Sequence, residues 1–250
     1  RNDELGKLST SLDDMTHELQ KRISNAENFS TDLVHEIRNP LTSLKSASEI
    51  LQETEDHAQR LKLIDILNHD VQRIERLITD YSQMLKDEVA LSKEKMKKIN
   101  LKLIAKSVVD DFNNIYETKR GIKIILSDLN NLEEYNIYGI ENRIEQIIAN
   151  LLDNSISFSD DNKKISVEIS KNENQKVILK VIDEGKGFKE TNTKKIFNRF
   201  YSNRPDAFGK HSGLGLNIVK NLVDLHGGTI NAYNNTTQKG ANVEITFPKS

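Results

Sequence analysis

Leu5, Leu8, Leu12, Met15, Leu19, Arg22, Ala26, Phe29 and Leu33 follow one another at spacings of three and four without a break, and only Arg22 among them is polar. That period keeps one stripe of a helix apolar for about eight turns. A stripe so long, with no globular core flanking it at this end, predicts a seam covered by a second helix, and a second copy of the chain is the simplest partner. Little interrupts the helix, since the first third of the chain holds one proline, Pro40, and one glycine, Gly6.

The polar run Glu53-Thr54-Glu55-Asp56-His57 breaks the pattern, and a second stripe then begins: Leu61, Ile64, Leu67, Val71, Ile74, Leu77, Ile78, Tyr81 and Leu85. Two long helices joined by a short loop predict an antiparallel hairpin, and two hairpins predict a dimeric four-helix bundle. Lys93-Glu94-Lys95-Met96-Lys97-Lys98 reads as a solvated linker. From Ile99 the texture changes. Helical stretches near 101–118, 141–157 and 213–226 alternate with β-branched runs at 122–126, 165–170, 177–182, 228–233 and 241–247. That alternation predicts an α+β domain, with helices on one face of a mixed sheet.

Composition narrows the function. The net charge is −2, which gives no basic footprint for nucleic acid. There is no cysteine, so a disulfide framework and a Cys-ligated metal are excluded. No apolar run approaches the roughly 18 residues that would span a bilayer. The chain opens on Arg1 rather than methionine, so a piece of a larger protein is expected.

Chemistry concentrates in two places. In the first helix, His35 follows Leu33 and precedes Ile37 and Leu41, so with those three facing inward its imidazole is expected beside the seam and exposed. A neutral imidazole is a good phosphoryl acceptor. Glu36 can hold the opposite ring N–H and offset developing charge. Asn39 lies one turn on, with Arg38 beside it, and Pro40 cannot donate to the carbonyl of Glu36, so a bend is expected there. His17, His57, His69, His211 and His226 read as surface or packing histidines.

In the second domain Asn150 and Asn154 share one helix face, and their carboxamide oxygens can ligate Mg2+ without adding charge beside a triphosphate. Asp183-Glu184-Gly185-Lys186-Gly187 follows a strand-like run. A carboxylate at a strand end can accept the exocyclic N–H of adenine, and Gly185 and Gly187 give room for a flat base. Ser212-Gly213-Leu214-Gly215-Leu216 opens an apolar helix, whose N-terminus favours phosphate. Each motif alone is weak; their order and spacing carry the reading.

The string His35–Leu41 resembles the H-box of the HisKA-type histidine kinases. The succession Asn150/Asn154, Asp183-x-Gly185-x-Gly187, Phe197-Asn198-Arg199-Phe200-Tyr201 and Gly213-Leu214-Gly215 resembles the N, first G, F and second G boxes of the gyrase B, MutL and histidine-kinase ATPases. The stretch 199–216 is similar to ChvG-type envelope sensors. The resemblance implies an ATP-dependent protein-histidine kinase of a two-component system. Its His35 would be phosphorylated from Mg-ATP, assisted by Glu36, and the phosphoryl group passed to an aspartate of a response regulator receiver domain. Asn39 would support dephosphorylation of that regulator.

It further implies that Asn154 and Asn150 hold Mg2+ and phosphate, Asp183 reads adenine, and Phe158 stacks on the base. Residues from about 189 to 212 would form a mobile lid carrying Arg199 and Arg204. The implied organisation is 1–22 as the end of a HAMP signalling helix, 23–90 as the dimerisation and phosphotransfer domain, 91–97 as linker and 98–250 as the ATP-binding domain. The homodimer would form through residues 5–90. Attachment to a bacterial inner membrane would come only through a missing N-terminal region, with this chain on the cytoplasmic side. Ser157 and His211 depart from the family pattern, where a basic residue and a glycine are common. They leave a catalytically weak dimeric ATP-binding scaffold as the alternative.

Overall fold

A computed structural model describes residues 4–91, 94–131, 134–189, 192–201, 213–235 and 239–249. The chain divides into two compact units, Arg1–Thr79 and Asp80–Ser250. The first is all-α. Helix α1 (Glu4–Glu53) runs unbroken for 50 residues, and α2 (His57–Leu91) begins after a three-residue loop.

The polar break makes that loop. Thr54 N–H still donates to the Ile50 carbonyl at 3.0 Å, and Asp56 then starts α2 by accepting the Ala58 N–H on Oδ1 at 2.9 Å. Arg60 fastens the loop, donating to the carbonyls of Leu51 and Thr54 at 3.3 and 3.0 Å. Pro40 lies inside α1 without ending it, and leaves the Glu36 carbonyl without its intrahelical donor.

The hairpin interior is narrow. Pro40, Ala47, Leu63, Asp70 and Leu77 are buried, whereas Leu8, Leu12, Met15 and Leu19 of the predicted seam are 56–71 % exposed in the single chain. Leu33 and Ile37 are half-buried, as an inward face requires. Leu41 differs from expectation in being exposed. It repeats at heptad distance from exposed Val34, one step around the helix from the stripe that α2 of the same chain covers.

The second unit is α+β. Its elements in order are β1 (Lys97–Asn100), α3 (Leu101–Arg120), β2 (Lys123–Asp128), β3 (Asn136–Gly139), α4 (Glu141–Phe158), β4 (Lys164–Lys171), β5 (Val177–Asp183), a 3-10 turn (Thr193–Phe197), α5 (Gly215–Leu225), β6 (Thr229–Asn234) and β7 (Ala241–Phe247). Five strands form one mixed sheet in the order β2-β4-β5-β7-β6, parallel only between β2 and β4. Burial alternates along β4 and β5. Ile165, Val167, Ile169, Val177, Leu179 and Val181 face a core shared with Ile144, Ile147, Ile148, Leu151 and Leu152 of α4. One apolar face per strand and one stripe per helix therefore close a two-layer core.

β1 and β3 pair antiparallel in a separate two-stranded sheet that the sequence reading did not foresee. Lys97, expected at the end of a solvated linker, is paired with Gly139 there, and its Nζ meets Glu141 at 2.7 Å. The expected linker 91–97 thus narrows at both ends, since α2 also includes Leu91.

Caps explain where the site-bearing helices sit. Asn100 caps α3 by accepting the Lys102 N–H. Arg120, at the end of α3, donates to the carbonyls of Ile156 and Ser159 at 2.8 Å each and to Asp161 at 2.7 Å, fixing the C-terminus of α4. His226, just past α5, accepts the Ile140 N–H at 3.1 Å on Nε2 and bonds the Leu222 carbonyl through Nδ1 at 2.6 Å. It is a satisfied core histidine, as read from the sequence, and burial pushes its pKa down.

Candidate active site

Two separate sets of polar side chains carry the chemistry, one in each unit. On α1, His35 is exposed, and so is Asn39 one turn further on. Glu36 is turned the other way, into the hairpin, where its Oε2 accepts from Nη2 of Arg73 on α2 at 2.9 Å. That guanidinium holds the carboxylate inside the hairpin, so the bond from Glu36 to the His35 ring N–H that the sequence predicts is not the one observed. Arg73 was not singled out in the sequence. The antiparallel register about residues 54–56 places 36 opposite 73, so the hairpin geometry was the signal that could have found it.

In the second unit the surroundings of Asp183 are set by three backbone approaches. Asp183, the last residue of β5, is 5 % exposed, and its Oδ1 accepts the N–H groups of Gly185 at 2.9 Å and Ala241 at 3.1 Å. Among the described residues nothing bonds its Oδ2, which leaves one oxygen for a ligand donor. Burial raises the Asp183 pKa, and the two backbone N–H groups act against that rise. Gly185 must lack a side chain, because a Cβ there would come within 2.6 Å of the Phe158 carbonyl. The tight approach sets the end of α4 directly against the Asp183 loop. Phe158, the last residue of α4, keeps 36 % exposure, and Gly187 lies in the loop that follows.

Asn150 and Asn154 lie one turn apart on α4, both half-buried. Among the described residues the Asn150 Nδ2 is buried without a partner, an amide donor left without an acceptor. Gly215, the first residue of α5, faces the same side chain: a Cβ on it would sit 4.0 Å from the Asn150 Oδ1. The start of α5 and the asparagine face of α4 thus converge. Leu214 before it is fully buried.

Gly213 takes φ +74°, and a Cβ there would lie 2.7 Å from the Phe200 carbonyl carbon. This contact brings the aromatic motif onto the glycine motif. Asn217 of α5, which the sequence reading passed over, strengthens the junction by donating from Nδ2 to the Phe197 carbonyl at 2.9 Å. Ile196 and Phe197 are buried, so the 3-10 turn belongs to the core and only the remainder of 189–212 is left for the expected lid. Arg199 is half-buried with interactions of its own. Arg204 and His211 lie outside the described residues. Ser157 donates to the Asn154 carbonyl at 2.8 Å and so spends its hydroxyl on its own helix.

These residues fit a magnesium nucleotide. A buried amide donor without a partner suits a phosphate oxygen, carboxamide oxygens suit a hard cation, and a carboxylate with a spare oxygen suits an amino group.

Comparison with known proteins agrees with the division. Residues 25–88 match the His Kinase A (phospho-acceptor) domain, and residues 139–250 match the histidine kinase-, DNA gyrase B-, and HSP90-like ATPase. The chain is 37% identical over 240 residues to the sensor protein ChvG of Rhizobium meliloti, covering 94% of this chain and 41% of that protein. It is 26% identical to the sensor protein kinase PmrB of Pseudomonas aeruginosa, covering 99% of this chain and 50% of that one. The chain therefore spans two fifths to one half of the length of these relatives. The crystal structure of histidine kinase ThkA in complex with response regulator protein TrrA shares the fold at 24% identity and TM-score 0.64, over 92% of this chain and 64% of that one.

Proposed function

Since this chain belongs to the histidine kinase family, we propose that it phosphorylates its own His35 from Mg-ATP and hands the phosphoryl group to an aspartate of a response regulator. The observation that carries the reading is the exposed His35 in the segment matched as phospho-acceptor, on one chain with a segment matched as a histidine kinase-like ATPase in which Asn150 Nδ2 is buried without a partner among the described residues.

The chain's own residues divide the work. Asp183 receives the adenine amine, and the carboxylate selects against guanine, which presents a carbonyl there. Asn150 and Asn154, with the N-terminus of α5, hold the phosphates and the cation. Bound Mg2+ supplies charge neutralisation on the transferring phosphoryl group. The lone pair of a neutral His35 ring nitrogen forms the N–P bond as the bond to the ADP oxygen breaks, and ADP leaves with that electron pair. Glu36, anchored by Arg73, stabilises the positive charge that spreads over the ring. In the second step the regulator's carboxylate takes the phosphorus and the imidazole leaves. Asn39, one turn away on the same exposed face, orients water for dephosphorylating the regulator.

The bundle needs a second hairpin over its exposed stripe, so the working unit is a homodimer through residues 5–90. The relatives are named as sensors, and the chain spans only part of them. That supports reading the chain as the cytoplasmic part of a membrane-anchored bacterial receptor; among the described residues no helix is long and apolar enough to cross a membrane. The boundaries read from the sequence, 1–22 for the incoming signalling helix, 23–90 for phosphotransfer and 98–250 for ATP binding, extend by one residue to Leu91 and back by one to Lys97 where α2 ends and β1 begins.

Incubation with γ-labelled Mg-ATP should place acid-labile, base-stable label on the chain, and His35→Ala should remove it entirely. Nucleotide binding with no label on the unaltered chain would instead favour the weak scaffold.

A further inference from the structure

The loop that bears Asp183 is held from outside by two neighbouring asparagines at the end of β6. Asn234 reaches Phe188 twice: its Oδ1 accepts the Phe188 N–H at 2.6 Å and its Nδ2 donates to the Phe188 carbonyl at 2.8 Å. The carboxamide thereby copies the paired donor and acceptor of a strand neighbour, and it fixes the far end of the loop. Asn235 holds the near end, with its Nδ2 donating to the Asp183 carbonyl at 3.3 Å. Its own Oδ1 accepts from Asn242 Nδ2, and its N–H donates to the Gly240 carbonyl at 3.0 Å. Gly240 makes the approach feasible, because a Cβ there would overlap the Asp183 carbonyl oxygen at 1.9 Å.

Among the described residues the Phe188 backbone is held by Asn234, while Glu184 at the other end of the loop accepts the Lys164 N–H at 3.4 Å. Among the described residues the stretch 184–189 carries no regular secondary structure, so no strand or helix ladder sets its shape. The Gly185 N–H on Asp183 Oδ1 ties the carboxylate to the loop, while the Ala241 N–H on the same oxygen ties it to β7, so its aim depends on how the loop is set against the end of the sheet.

We propose that Asn234 and Asn235 are positioning residues for base recognition: they set the Asp183–Phe188 loop so that the free carboxylate oxygen meets the amine of an adenine nucleotide. This rests on the reading of Asp183 as the adenine contact. A merely structural role would lower affinity for all nucleotides alike. A positioning role lowers the preference for adenine over a base that lacks the amine.

The experiment compares equilibrium binding of Mg-ATP and of Mg-inosine triphosphate, which carries a carbonyl in place of the amine, to the full chain and to Asn234→Ala and Asn235→Ala. The unaltered chain should prefer ATP by about tenfold, the size of one charge-assisted hydrogen bond. Asn234→Ala, which loses both bonds, should reduce that preference to less than about threefold, with Asn235→Ala falling between. Thermal unfolding identifies a variant that fails to fold, and the other variant then carries the test. A folded Asn234→Ala or Asn235→Ala that keeps the full preference overturns the clamp. If the unaltered chain shows no preference at all, the Asp183 reading itself falls, and binding of both nucleotides would show that the pocket still exists.

Discussion

The two units bury their apolar residues in opposite ways. In the nucleotide-binding unit Ile144, Ile147, Ile148, Leu151 and Leu152 lie within 1 % of complete burial in a single chain. In the hairpin, Leu8, Leu12, Met15 and Leu19 stand bare on a helix of comparable apolar patterning. The same period that closes a core where a sheet is present leaves an open surface where none is. One unit closes its core within a single chain, with Asn150 and Asn154 on α4 and Asp183 at the end of β5. The other leaves an apolar stripe uncovered on the helix that bears His35, the stripe through which we propose the homodimer forms.

The largest expected effect lies in the closed core. Ile147→Ala should destabilise the nucleotide-binding unit by about 2–5 kcal/mol, because a fully buried side chain leaves a cavity that the sheet cannot fill. Its unfolding midpoint should not depend on protein concentration. A loss below about 1 kcal/mol would mean that this core is far looser than its burial indicates.

The contrast inverts in the hairpin. Leu12→Glu should barely affect an isolated chain, since Leu12 is 56 % exposed. In a dimer it places two charges in the seam, each replacing an apolar side chain whose burial contributes about 1.5–3 kcal/mol. Sedimentation should show the dimer dissociating in a concentration range where the unaltered chain stays associated, with nucleotide affinity unchanged. An unaltered dimer would move the seam elsewhere on α1 and make the exposed stripe unexplained.

Long one-sided patterns were the legible part of the sequence. α4 and β7 fall within a residue of where periodicity places them, because each buries a single face over many residues. Gly185 and Gly213 were legible for another reason: a close backbone approach at one and a positive φ at the other demand glycine. The separate pair β1–β3 was not, since four-residue strands such as Lys-Lys-Ile-Asn offer one buried side chain and no period to read. Nor was the Arg73–Glu36 pair or the Asn234–Asn235 clamp. Polar residues of that kind are common on surfaces, and only the register of a hairpin or the end of a strand tells which of them meets a partner.

The smallest effect separates the units by acidity. His226 belongs to the closed core, where it joins the end of α5 to the start of α4 through Leu222 and Ile140. Burial lowers its pKa below the ordinary 6.5, so the folded state holds it neutral and the unfolded chain takes up a proton first. Its contribution is therefore complete above pH 6.5, begins to fall as the pH drops below that value, and is gone once the lowered folded pKa is passed. Denaturant titrations of the nucleotide-binding unit at pH 7.5 and 5.5 should show less stability at the lower pH. His226→Gln can accept the Ile140 N–H and donate to the Leu222 carbonyl without titrating, so it should flatten that difference. An equal loss in the variant would assign the acid sensitivity to other groups and leave His226 a packing residue only.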